Sequence, residues 1–409
     1  MRRTGRLVMA AVAAATLAIA SVPLGCGSDD SNDGPTPTPT PTPTPLPSPT
    51  VVLLTLVESI GTDSTTLDLG ASGDAFLLAY EGRAIGTATA IYGVRFGADG
   101  RVIDTSPFLF DGSAYGVAYA GTGTVQGSIA GAAITAVQVG TDGSVGFPAD
   151  LAETAQIGTC ESNVVPPPAL AASSATSFAA LWPLEEGCAG GPILNRLDGA
   201  FAVVQGEGFA VNEIDGLLPP VGDQTVISSP AAVASNGTTT VGAWTEMVAG
   251  GSAVTVEVAV LSPGGVERVA LADAADALVR PAIATDGRDY LVVWFGTGGT
   301  LRGARFRPGT GPLDGPEGFV ISEPLISTEP VVAFGNGRYV VVATHLQGSG
   351  DIPVLASEVS PAGVVTPFGV IARDAGSRMG IAFARGRFAI AYVRSSATRS
   401  SIVAALFAP

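Results

Sequence analysis

The side chains whose spacing could do chemistry are Glu81, Glu185, Glu186, Glu246, His345, Asp351 and Arg394. They open, or closely follow, the loops that come after one kind of segment: a small residue at a turn, then an apolar run. Runs that leave equivalent turns of a closed repeat ring deliver their loops to one face, around a central channel. Carboxylates converging there could hold a cation or a cationic ligand. A pair at the channel mouth, one with a raised pKa, could do the acid and base work of glycoside hydrolysis. Ordinary solvated polarity is the competing explanation. No catalytic residue is assigned. With His345 as the single histidine there is no His-rich metal set, and a Ser-His-Asp arrangement would have to use it. In THLQGSGD it reads as a solvated loop residue. The Asp-Gly pairs at 99, 142 and 286 lack the density of a calcium loop and read as turns. No cofactor motif is found.

The segment that must position these residues is clearest in PAIATDGRDYLVVW, from Pro281 to Trp294. Ile283 and Ala284 precede an Asp-Gly turn that tolerates positive φ. After it, Tyr290, Val292 and Trp294 alternate with Leu291 and Val293, so both faces of a period-two strand are apolar and the strand is buried on both sides. Copies align on Gly73, Gly123, Ala175, Gly237, Gly287, Gly337 and Gly386, with spacings of 50, 52, 62, 50, 50 and 49 residues. That period suits a four-stranded propeller blade. Tyr80, Trp182, Trp244 and Trp294 share one slot, with Tyr392 near it in the last copy, and repetition in equivalent places argues for packing between blades rather than a sugar-binding aromatic box. The last copy stops after its third strand. The expectation is therefore an all-β, seven-bladed β-propeller over 51–409, in which Leu53 to Glu58 pairs with Ser401 to Phe407 and completes the last blade.

Gly (54) and Pro (30) are abundant and long amphipathic helical patterns are absent, as in a chain of many short strands. Acidic residues outnumber basic ones 36 to 20, and every basic residue is arginine. The net charge is −16, or −19 without Arg2, Arg3 and Arg6. Such a balance repels nucleic acid and anionic lipid head groups.

Residues 1–25 combine those arginines with an apolar run from Leu7 to Ala20, the layout of a signal peptide. Residues 26–50 form a Pro/Thr-rich disordered linker, and PTPTPTPTPTPLPSPT favours an extended spacer reaching on the order of 50 Å. Leu24-Gly25-Cys26 before GSDDSNDG resembles the lipobox of bacterial lipoproteins, with Pro23 where leucine is preferred. The likeness implies lipidation of Cys26 and, because Gly27 follows, outer-membrane sorting. Cleavage after Ala18-Ile19-Ala20, giving a soluble periplasmic or extracellular form, is the alternative. The repeats resemble those of uncharacterised bacterial lipoprotein propellers with a G-x-x-[YF]-x-x-x-W second strand, a likeness that names no activity. Cys160 and Cys188 then remain as a disulfide pair, or as two free thiols.

With no catalytic constellation, the sequence points to an exported, lipid-anchored, monomeric propeller. It would act as a non-catalytic binding or scaffold module for an envelope protein or glycan, touching the membrane only through its anchor. The alternative is a secreted hydrolase or lyase acting on a glycan, with carboxylates at the channel mouth.

Overall fold

The computed structural model describes residues 50–60, 67–83, 89–110, 115–120, 123–130, 133–140, 142–146, 149–152, 169–172, 177–185, 197–205, 210–213, 226–228, 231–248, 253–262, 265–275, 279–323, 329–345, 352–373, 375–395 and 400–408. The signal segment, most of the linker, all three cysteines, Glu186 and Asp351 lie outside them.

The described chain is all-β and antiparallel, with five four-stranded sheets and one of ten strands. Each repeat is a meander in chain order. In the first, Leu67–Ser72, Ala75–Arg83, Thr89–Gly97 and Phe108–Phe110 pair successively. The first strands of the repeats, from Leu67–Ser72 through Tyr115–Ala120, Ala169–Ala172, Ala232–Ser235, Ala282–Thr285 and Val331–Gly335 to Ala375–Ala384, neighbour one another in that order. Ala375–Ala384 also neighbours Leu67–Ser72. The ten-stranded sheet departs from the expected separate meanders for two local reasons. Val226–Ser228 pairs with the far end of Thr240–Val248, and the long strand Gly265–Ala275 reaches Gly296 of the next repeat through Ala275.

The repeat turns fold as their residues require. Gly73, Gly237, Gly287, Gly337 and Gly386 have φ between 60° and 95°, a region that costs a side chain its usual backbone freedom. Asn336 and Arg385, with φ of 50° and 46°, complete two-residue turns in which both central residues are left-handed, closed by Gly335 with Arg338 and Ala384 with Arg387. The Asp286-Gly287 connection is longer than the tight turn expected. It runs from Thr285 to its partner Tyr290, because Asp286 Oδ1 accepts the amides of Arg288 (2.8 Å) and Asp289 (2.7 Å) and holds the chain open.

Tyr290–Gly296 is buried throughout, and its alternation sorts two cores. Tyr290, Val292 and Trp294 pack with Val241, Ala243, Val256 and Val258 of the preceding repeat. Leu291, Val293 and Phe295 pack with Val332, Tyr339 and Val341 of the following one. The shared slot holds Tyr80, Trp244, Trp294 and Tyr392 in the interior, as packing between sheets demands, and Ala343 is buried in the copy that lacks the aromatic.

Polar latches tie neighbouring repeats with the period of the sequence. Asn236 Nδ2 donates to Gly287 O (3.2 Å) and Asn336 Nδ2 to Gly386 O (3.1 Å). In the last copy Arg385 holds the asparagine's place, and its Nη1 donates to Asp74, beside Gly73 (2.9 Å). Tyr290 Oη donates to Thr239 O (2.6 Å) and Tyr339 Oη to Asp289 O (3.1 Å). Two arginines bind an aspartate nine residues on and then a carbonyl of the next repeat. Arg95 Nη2 donates to Asp104 (2.7 Å) and Asp142 O (2.9 Å); Arg305 donates to Asp314 through Nη2 (2.7 Å) and to Pro361 O through Nη1 (3.0 Å). Finally, Val52–Ile60 lies antiparallel to Ser400–Phe407, with Leu53 opposite Ala405 and Thr55 opposite Val403. The strand missing from the last repeat is thus supplied by the N-terminal one.

Candidate functional site at the channel mouth

The candidate residues sit deeper in the sheets than loop residues would. Glu81 lies within Ala75–Arg83, opposite Ile91, and is half-buried. Glu185 ends Ser177–Glu185, opposite Leu197; its side chain, like Glu186 and Asp351, is outside what is described. Arg394 lies within Arg387–Ser395, opposite Ser401. His345 follows Arg338–Thr344, half-buried, and its backbone N–H donates to Pro353 O (3.0 Å). The hairpins joining second to third strands extend beyond the aromatic slot, so pairing continues where the sequence pattern ends.

Glu246 is a correction. It is 7% exposed rather than a solvated surface group. Trp244 Nε1 donates to it (3.0 Å) and so does Arg268 Nη2. The Arg268 guanidinium lies over the Trp244 ring, 5.2 Å from its centroid, and its Nε reaches Glu257 (3.3 Å). Period two explains the cluster: Trp244 and Glu246 share a sheet face with Glu257, which stands opposite Trp244. Burial pushes the Glu257 carboxyl above the usual range, and Glu246 adds to this, against the pull of Arg268.

A different set of charges meets at the starts of the innermost strands. Asp68 is the second residue of Leu67–Ser72; Arg280 precedes Ala282–Thr285; Glu329 precedes Val331–Gly335; Arg378 lies in Ala375–Ala384. All four line a cavity of about 200 Å³, together with Leu67, Leu170, Ile283, Val331 and Met379 among others. Arg378 Nη1 donates to Glu329 Oε2 (2.7 Å). Arg280 Nε donates to Ala231 O (3.1 Å), and its terminal nitrogens have no partner among the described residues. Asp68 Oδ1 accepts the Leu69 amide (2.8 Å). This end of the sheets is also where second strands pass to third strands, so it is the face on which the candidates were expected. The cavity joins two carboxylates able to exchange protons with two guanidiniums able to hold oxygen anions or sugar hydroxyls.

Sequence reasoning did not single out these four residues. The available signal was a charged residue directly before proline at the start of an inner strand, Arg280-Pro281 and Glu329-Pro330, one repeat apart.

No protein-family model and no curated protein matches the sequence. Among solved structures, the chain is similar to the β-propeller domain of the Trilobed protease from Pyrococcus furiosus, at 10% identity and TM-score 0.48, covering 85% of this chain and 94% of that one. It is similar to an acylaminoacyl peptidase from Pyrococcus horikoshii, at 13% identity and TM-score 0.45, covering 83% of this chain and 50% of that one. A sialidase of Trypanosoma rangeli matches at 10% identity and TM-score 0.48, covering 88% of this chain and 59% of that one. At such identities the likeness speaks for the fold, that of β-propeller proteins. The proteins so matched are named as peptidases and a sialidase; the expectation of a non-catalytic binding or scaffold module finds no support among them, and its alternative is taken up below as a proposal.

Proposed function

We propose that this protein is a glycan-directed hydrolase whose working site is the channel mouth. The observation that carries the reading is the meeting of Asp68 and Glu329 with Arg280 and Arg378, from four repeats, at one cavity. In this reading Glu329, oriented by Arg378, is the base that takes a proton from the attacking water. Asp68 donates a proton to the leaving glycosidic oxygen as the C–O bond breaks. Arg280, whose terminal nitrogens have no partner among the described residues, binds substrate oxygens. The test is a screen of chromogenic glycosides and polysaccharides with the full chain and with a D68N/E329Q variant. Turnover lost in the variant supports the reading; no turnover on any glycan, or turnover indifferent to the double substitution, removes it.

The finer architecture belongs to the same proposal: a ring of seven four-stranded blades, with the ten-stranded sheet counted as two. The order of the innermost strands, the Arg385–Asp74 latch between last and first repeats and the pairing of Val52–Ile60 with Ser400–Phe407 support it. The leader and Cys26 support delivery of a monomeric propeller to the outer membrane as a lipoprotein, with a soluble exported form as the alternative.

A further inference from the structure

The ends of the inner strands opposite the channel mouth carry a larger recess. Leu67–Ser72 runs from the mouth to the turn that holds Asp74, and Ala375–Ala384 runs from the mouth to the turn that holds Arg385 and Arg387. Between these turns and the hairpin loop at Asp99 to Ile103 lies a cavity of about 600 Å³. That is within the size range of small-molecule sites. It is formed by the first and last repeats together.

Its charges are not balanced internally. Asp74 is held by Arg385 (2.9 Å), and Asp99 accepts the amide of Arg101 in its own turn (3.0 Å). The guanidiniums of Arg101 and Arg387 have no partner among the described residues, although both line the cavity. With Arg101, Arg385 and Arg387 against Asp74 and Asp99, the recess carries an excess of one positive charge, against the acidic bias of a chain whose net charge is −16. Beside them Val102 and Ile103, 41% and 46% exposed, form an apolar flank in solvent contact. An apolar pair next to free guanidiniums fits a ligand that is anionic at one end and aliphatic at the other.

We propose that this recess is a second binding site, separate from the channel mouth, for a small organic carboxylate with an aliphatic portion. Arg101 and Arg387 take the carboxylate, and Val102 and Ile103 cover the aliphatic part. Nothing in the proposal depends on hydrolysis at the mouth.

The test is calorimetric titration of the full-length protein with octanoate, and with acetate and inorganic phosphate as probes of charge alone. Saturable one-site binding of octanoate is expected, at least about tenfold tighter than acetate or phosphate. R101Q/R387Q should weaken it at least about tenfold, and V102S/I103S should weaken octanoate while leaving acetate unchanged. The melting temperature of each variant shows that it is folded, and R101K/R387K, which keeps the charge, should retain most of the binding. Absence of saturable octanoate binding, equal binding of phosphate, or indifference to R101Q/R387Q would each overturn the proposal.

Discussion

Glu246 and Glu257 share one guanidinium, yet their replacement should have unequal consequences. Glu246 receives the Trp244 indole N–H and an Arg268 N–H, while Glu257 receives the weaker 3.3 Å contact from Arg268 Nε and is pushed up in pKa by burial. Breaking a buried pair by removing one partner costs about 3–5 kcal/mol. Since Arg268 keeps Glu257, the lower half applies, and Glu246→Gln should cost about 3–4 kcal/mol. Glu257→Gln removes a charge that burial disfavours and should change stability by less than about 1 kcal/mol at pH 7.5. The sign follows from linkage. A carboxyl whose folded pKa is raised binds its proton more tightly in the folded state. Its contribution is therefore greatest below the unfolded value, about 4.3, and declines as pH rises through the folded value. Glu257→Gln should flatten that decline and be at its most favourable, relative to wild type, at the alkaline end. Urea unfolding of wild type and both variants, from pH 5 to pH 8, reads this directly. Equal losses for the two variants at pH 7.5, or an unchanged pH profile in Glu257→Gln, would refute the argument that burial outweighs Arg268 at this carboxyl.

Trp294→Ala empties the space between two repeats at a residue that is 1% exposed, and should cost about 3–5 kcal/mol in denaturant unfolding. At Asn336, φ of 50° admits asparagine or glycine, so Asn336→Val should cost at least about 1–2 kcal/mol while Asn336→Gly loses only the latch to Gly386, a difference visible in thermal melts. Cys26→Ser should move the protein from the membrane to the soluble fraction; unchanged fractionation would show that Pro23 had spoiled the lipobox.

Much of the fold was legible because it is written in local rules. Glycine at six of the seven repeat anchors, alternation in Tyr290 to Trp294 and the period near 50 residues gave the strands, their buried faces and the pairing of the N-terminal strand with Ser400–Phe407. The four-residue connection at Asp286 was missed because its length is set by side-chain acceptance of two amides, which a dipeptide signal does not carry. The site was less legible. Glu246 follows the aromatic slot by two residues and reads as the start of a loop. Arg268, which lets it be buried, stands two strands away. Asp68, Arg280, Glu329 and Arg378 belong to four repeats; Arg280, Glu329 and Arg378 recur at the repeat spacing of 49 residues, but it is the arrangement of the inner strands that brings all four to one cavity.

The most direct test of the channel-mouth reading is the rate of glycan hydrolysis by wild type, D68N and E329Q, measured beside the melting temperature of each. General acid–base groups contribute about 10²- to 10⁴-fold. Each single variant is therefore expected to lose at least about 100-fold in turnover while its melting temperature stays within a few degrees of wild type. Wild-type turnover in both variants, or no hydrolysis by the wild-type protein across the glycan panel, would contradict the account.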